Sequence, residues 1–279
     1  MLGEKIDTQI LMLISHDRLK MTEAEIDSRQ SIEGLEVTDE DFVKFTTRSE
    51  GYFDFQGKTV LDVGCGRGEL SNHLAKNGAA EVWGADLDPT RIEQARFYAE
   101  SNGIENVHFV NTDFHEWDTD KKFDFVISLE AFDHIPDAEE ALTKMKGFLK
   151  EDGRMLIFTA GFWQSPKADH CGAFLKFSIP WRQLIFNEKA MLKVRKVRFR
   201  PTEGAERLQD IRGGLSMYTF DGFIQAIRNA GLSEVAREVN YQFKYKHQNL
   251  RPFSTLLTSL PVIGPYFKFS LFSVLEKRQ

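Results

Sequence analysis

The stretch Val60-Leu61-Asp62-Val63-Gly64-Cys65-Gly66-Arg67-Gly68 combines an apolar run, an acid within it and three alternate glycines. Residue types in this order suit a strand entering a turn that opens a helix and holds a nucleotide-like ligand. Lacking Cβ, glycine permits positive φ and lets backbone amides and a helix N-terminus approach the ligand closely. The spacing is G-x-G-x-G, and Glu69 occupies the place where a dinucleotide fingerprint needs its third small residue. NAD and FAD are therefore disfavoured. Asp86 lies 22 residues beyond Gly64, near the distance at which nucleotide folds place a carboxylate to accept two ribose hydroxyls. Two later clusters hold titratable groups suited to proton transfer, Glu130-x-x-Asp133-His134 and Asp169-His170-Cys171. A histidine in a loop equally serves as a structural or solvated residue.

Strands must deliver these side chains. Val60–Val63, Glu81–Ala85, Val107–Val110 and Phe123–Ser128 read as buried or half-buried strands, and Arg154–Thr159 as a fifth after a Glu151-Asp152-Gly153 turn. Between the second and third, Pro89 starts a helix through about Asn102, since proline is tolerated in a first turn. An acid after a single strand is most often a turn or cap residue. Here the acids recur at successive strand ends, the pattern of a parallel sheet with ligand contacts at its carboxyl edge. Phe220–Asn229 reads as a helix stopped by Gly231 and Glu234–Phe243 as strand six.

Residues 60–68 closely resemble motif I of the class I S-adenosylmethionine-dependent methyltransferases, and the resemblance covers about residues 55–160. It implies an α/β, Rossmann-like seven-stranded sheet whose final strand runs antiparallel, a place that Phe267–Leu275 fits. The cofactor it implies is S-adenosylmethionine, bound by Asp62, Gly64, Cys65, Gly66, Gly68, Asp86, Leu87, Asp113, Phe114 and Leu129. Among these, Asp113 and Phe114 match the family's adenine contacts. Two readings stand for Asp62: it orients the turn and meets the methionine ammonium through water, or it bonds the turn amides. Ser128-Leu129-Glu130-Ala131 lacks the Asp/Asn-Pro-Pro-Tyr/Phe of enzymes that methylate exocyclic amines, and no Pro-Cys nucleophile is present. Glu130-x-x-Asp133-His134 resembles the Glu-x-x-Glu-His set of the ubiquinone-pathway O-methyltransferases, with Asp replacing the second Glu. There the set is a divalent-metal site, and Glu130, Asp133 and His134 would suit Mg²⁺ or a transition metal. Many class I enzymes instead place a histidine here without metal, so His134, with His170, is a candidate general base.

At 279 residues and 42% apolar composition the chain can bury a substantial core. Its two cysteines, Cys65 and Cys171, fit neither a disulfide framework nor a zinc site, and point to a reducing cytoplasm. Residues 1–150 carry 16 basic against 31 acidic groups, and residues 151–279 carry 20 against 11, so the halves are -15 and +9. Six of the twelve residues from Lys189 to Arg200 are basic. Such a run is a solvated face, or a surface for an anionic acceptor, an acidic membrane or RNA.

The expected organisation is a helical N-terminal extension over 1–50, with Ile6, Ile10, Leu13 and Ile14 at amphipathic spacing, and a cofactor-binding core over 51–160. An aromatic-rich insertion over 161–218 covers the acceptor, and 219–279 completes the sheet. Trp163 and Trp181 would supply apolar walls, with His170 and Arg182 orienting the reacting group. Pro261, Gly264, Pro265 and Lys268 interrupt the apolar C-terminal segment, which excludes a span there and leaves interfacial membrane contact by Leu256, Leu257, Leu260 and Ile263. The expected function is methyl transfer to a small-molecule hydroxyl, with nucleic acid disfavoured as partner. The alternatives are an RNA or protein methyltransferase using the 189–200 segment, or a non-catalytic partner subunit with the same fold.

Overall fold

A computed structural model describes residues 2–16, 39–166, 168, 175–198, 204–211, 214–241 and 248–278. In chain order, its first half runs α1 (Leu2–Ile14), α2 (Asp39–Arg48), β1 (Thr59–Val63), α3 (Glu69–Lys76), β2 (Glu81–Asp86), α4 (Pro89–Ser101), β3 (Val107–Asn111) and β4 (Phe123–Leu129). Then come α5 (Ala138–Phe148), β5 (Leu149–Ala160), α6 (Arg182–Ile185), α7 (Glu188–Arg198), α8 (Phe220–Asn229), β6 (Leu232–Val239), α9 (Arg251–Ser259) and β7 (Ser270–Lys277).

Seven strands form one sheet in the order β3-β2-β1-β4-β5-β7-β6, all parallel except β7, which runs antiparallel to both neighbours. The order reverses between β1 and β4, so their carboxyl ends open the crevice where such sheets bind ligands. Alternation along the buried strands feeds two cores. Leu61, Val63, Met155, Ile157, Leu271 and Leu275 face α5 and α8. Val60, Leu156, Phe158, Phe272 and Val274 face α3 and α4. Asp62, two residues after Val60, shares the second face, which aims its carboxylate at α3.

Local signals set several boundaries as expected. Asp88 caps α4 by accepting from the Thr90 and Arg91 amides at 2.9 and 3.4 Å, with Pro89 next in line. Thr219 caps α8 through the Gly222 amide. Two elements differ from the sequence reading. Glu151-Asp152-Gly153 is a bulge inside β5 rather than a turn before it, because a Cβ on Gly153 would stand 3.0 Å from Phe123 O and the two backbones can approach. Helix α5 is additional to the expected elements: Asp137 caps it and Ala141, Leu142, Met145 and Phe148 give it a buried stripe.

The N-terminal helices divide between two bodies. Phe45 of α2 is fully buried on the sheet, edge-on to Phe53 and against Phe158. α1 packs instead on α7, forming a third cluster with Leu11, Met191, Leu192, Val194, Leu208 and Leu215. Asp7 fixes this pairing by accepting from the Asn187 amide at 2.7 Å, just ahead of α7. Leu11 is buried and Met12 and Ile14 pack against the same cluster, while Ile6, Ile10 and Leu13 face outward, so of the four residues at amphipathic spacing Ile14 alone lies on the packed face. Among the described residues no helix is long and apolar enough to cross a membrane.

Candidate active site

The glycine turn after β1 is bolted to β2 by the Gly64 and Cys65 amides, both donating to Ala85 O at 2.8 and 3.1 Å. Its three glycines have positive φ for different reasons. A Cβ on Gly64 would lie 2.4 Å from that of Ala131, and one on Gly68 2.6 Å from the Phe109 ring, so both permit close packing. A Cβ on Gly66 meets nothing within 4 Å: the turn faces open space there. Gly68 leads into α3 without a side-chain cap, leaving first-turn amides for an anionic group.

Asp86, at the end of β2, accepts from the Gly66 amide through Oδ2 and from the Asp88 amide through Oδ1, each at 2.9 Å. A carboxylate has about four lone-pair sites, so both oxygens retain capacity for ribose hydroxyls. Beside it Leu87 is 69% exposed, an apolar surface at a sheet edge that burial does not explain. Asn111, unmarked in the sequence reading, clamps β3 to β2 by donating to Asp86 O and Leu87 O at 3.1 and 2.9 Å.

Other expected cofactor residues take different positions. Asp113 is exposed and turns the chain by accepting from the His115 amide, whereas the Phe114 ring is buried against Phe148. The Cys65 thiol points below the turn, where a Cβ on Gly84 would come within 2.9 Å of its sulfur, and burial pushes its pKa up. Leu129, half-buried at the end of β4, packs against the core. Asp62 is buried and its Oδ2 accepts from Ser71 Oγ at 2.7 Å, tying β1 to α3. The neighbouring turn amides are already committed to Ala85 O, Asp86 and Cys65 O. Burial drives the Asp62 carboxyl from 3.8 up to about 7, against the Ser71 bond and with help from Asp86 and Glu69.

The end of β4 holds a second polar group. Glu130 adopts φ 54°, a conformation costly for a residue with Cβ, while its amide donates to Phe158 O at 2.7 Å. Its carboxylate accepts from the Tyr241 hydroxyl, and the Arg48 guanidinium lies 4.7 Å from the Tyr241 ring centre. Burial raises the Glu130 pKa; the Tyr241 bond opposes this, Asp133 adds to it and Arg48 lowers it.

The expected metal set is not assembled. Glu130 is turned to Tyr241, and the His134 ring is held by Gly214 O, 3.0 Å from Nδ1. Asp133 Oδ2 stands 3.7 Å from His134 Nε2, and among the described residues no group of three His, Cys, Asp or Glu side chains is placed to hold a metal ion. Spacing in sequence could not show this, because Tyr241 and Gly214 are far along the chain. The geometry does define His134. A carbonyl only accepts, so Nδ1 carries the proton and Nε2 keeps its lone pair in the neutral ring.

Residues 214–218 stitch the insertion onto this loop. Ser216 Oγ donates to Phe132 O at 2.7 Å, its amide to Asp133 O at 2.8 Å, and Tyr218 Oη to Ile135 O at 2.6 Å. Several insertion residues are structural. Phe162 stacks edge-on with Phe220 and Phe223 in the main core, and Trp163 packs into the α1–α7 cluster. Trp181 donates to Tyr266 O at 3.0 Å, and Arg182 is buried and donates to Ile179 O. The expected His170, with Asp169 and Cys171, lies outside the described residues. The basic run is not a uniform face either: Arg195 is buried, and Lys189, Lys193 and Lys196 line the outer side of α7.

A family profile described as a methyltransferase domain matches residues 54–171. A ubiquinone biosynthesis O-methyltransferase of Neisseria meningitidis serogroup C is 31% identical over 121 residues, 43% of this chain and 50% of that protein. Its namesake from Actinobacillus pleuropneumoniae serotype 5b is 39% identical over 109 residues, 37% of this chain and 46% of that one. The chain thus spans about half the length of the curated relatives it matches. A solved geranyl diphosphate C-methyltransferase from Streptomyces coelicolor, bound to Mg²⁺, geranyl diphosphate and S-adenosyl-L-homocysteine, shares the fold at TM-score 0.54 and 14% identity. That likeness covers 86% of this chain and 79% of the other.

Proposed function

We propose that the chain, whose residues 54–171 match a methyltransferase-domain profile, transfers the methyl group of S-adenosylmethionine to a hydroxyl oxygen of a small molecule. The observation that carries the reading is the turn at Gly66, open above its backbone and joined at its amide to the Asp86 carboxylate. These residues fit the cofactor: Asp86 accepts from the ribose, Leu87 offers an apolar face for the base, and the uncapped start of α3 faces the methionine carboxylate. When bound, the cofactor supplies a methyl group on a sulfonium, open to in-line attack.

This chain's side chains orient the acceptor and manage its proton. Gly214 O fixes the His134 tautomer, so Nε2 is the atom that takes the hydroxyl proton as the oxygen becomes bonded to the methyl group. Asp133 Oδ2, 3.7 Å from Nε2, favours the imidazolium so formed. Residues 214–218 hold this loop in place through Ser216 and Tyr218. The oxygen assignment is supported by the names of the curated relatives, both O-methyltransferases.

Calorimetry with S-adenosylmethionine and its demethylated product tests the first half. Asp86→Ala should weaken both about ten- to a hundredfold, as expected for charge-assisted bonds of about 1.5–3 kcal/mol. No binding by the wild type would overturn the reading. Transfer of a labelled methyl group to a panel of phenols, hydroxy acids and sugars tests the second half, and turnover only on RNA or protein would overturn it.

A further inference from the structure

The proposed reaction leaves one surface unused. Helix α9 buries none of its residues, and Phe253 and Leu256 are 60% and 59% exposed. The chain continues through exposed Leu260, Val262 (80%), Ile263 and Tyr266. Single exposed apolar side chains are ordinary, but six within fourteen residues form a patch that solvation opposes. The segment is firmly built. Asn240 Nδ2 donates to Ser254 Oγ at 2.9 Å and to Phe267 O at 2.8 Å, pinning both ends to the close of β6. Gly264 lets the chain turn back where a Cβ would stand 2.6 Å from Thr258 O, and the Trp181 indole docks on the far side through Tyr266 O. A polar residue of α9 therefore faces the domain while Phe253 and Leu256 face outward.

Charge identifies what covers this patch. From Val239 to Leu275 the chain contains no Asp or Glu but carries Lys244, Lys246 and Arg251, in a protein of net charge -6, while Lys268 is turned inward to Asp221, 3.6 Å away. Arg251 opens α9; its side chain is 58% exposed even with Glu238 3.8 Å away. A second copy docked two-fold on this patch would oppose like charges. An anionic lipid surface matches it in both respects, taking apolar side chains below the headgroups and cations among them. Pro252, Pro261 and Pro265 break the segment, so it suits lying in the interface rather than crossing it.

We propose that α9 and the Leu260–Tyr266 turn seat the protein on an anionic bilayer, with Phe253, Leu256 and Val262 inserted and Arg251 at headgroup level. The test is co-sedimentation of the full chain with phosphatidylglycerol-containing vesicles and with pure phosphatidylcholine vesicles. Wild type should partition onto the anionic vesicles at least about fivefold better. The Phe253→Ser/Leu256→Ser/Val262→Ser variant should lose about tenfold or more of that partition with its melting temperature retained, since all three side chains are exposed. Arg251→Glu should lose about fivefold, most of it at low salt. No sedimentation of wild type with any vesicle, or equal sedimentation of the triple variant, would overturn the proposal. So would a concentration-dependent dimer abolished by the triple variant, which would assign the patch to a second copy. None of these readouts depends on methyl transfer.

Discussion

Replacing Asp62 by Asn should change how stability depends on pH, with opposite consequences for stability and ligand binding. The Asp62 carboxyl titrates at about 7 in the folded protein against 3.8 for the free group, chiefly because it is buried. A folded pKa raised above the unfolded one means that stability is fully present below pH 3.8 and drains away as pH rises through 7. A displacement of about three pH units, each worth about 1.4 kcal/mol, makes a penalty of about 4 kcal/mol by pH 8 and about 1.5 kcal/mol at pH 5. Asn keeps the shape and can still accept from Ser71 Oγ, but it carries no charge to desolvate. Its amide protons need partners, a pH-independent cost of about 1–3 kcal/mol. The variant should therefore be similar to or less stable than wild type at pH 5 and gain about 2–3 kcal/mol relative to it by pH 8. In a chain of this size that is a swing of about 5–10 °C in melting temperature. Thermal scans at half-unit pH steps read the effect, and parallel curves for the two proteins would refute the reasoning. Under the reading in which Asp62 meets the methionine ammonium through water, affinity for S-adenosylmethionine should fall in the same variant, and unchanged affinity would assign Asp62 to the β1–α3 tie alone.

Other expectations separate structural from functional roles around the site. Gly66→Ala should fold with a loss of about 1–2 kcal/mol from its positive φ, yet bind cofactor poorly, because the new methyl enters the open space above the turn. Gly68→Ala should lose distinctly more stability, since its Cβ would collide with Phe109 and Ala95; equal melting temperatures for the two would contradict the assignment. Tyr241→Phe removes the hydroxyl that serves the Glu130 carboxylate while keeping the ring against Phe158, and should cost about 1.5–3 kcal/mol at pH 8. The Glu130 pKa is raised, so its protonation at low pH should shrink that deficit, and a loss that stays the same from pH 5 to 8 would exclude the bond as its cause. His134→Gln should lower kcat by about 10²–10⁴ with little change in cofactor affinity; unchanged kcat would remove His134 as the base.

The glycine turn, the acid at the end of β2 and the proline-started helix after it were legible because each rests on a local rule, whereas the antiparallel last strand came only from the resemblance to a family. Positive φ selects glycine, a cap lies within three residues of its amides, and strand alternation repeats every second residue. The partners of the functional side chains were not legible. Glu130 and Tyr241 stand 111 positions apart, His134 and Gly214 80, and Asp7 bonds the Asn187 amide 180 residues later. Spacing placed Glu130, Asp133 and His134 together as ligands, but the folded chain gives the first and last to different partners. Composition made residues 189–200 a basic run, and only the packing of α7 on α1 buried Arg195 within it. Residue types and short spacings thus determined which chemistry the sheet edge can hold. Which atoms face one another was decided by contacts whose energies exist only after distant segments meet, and these leave no periodic trace in the chain.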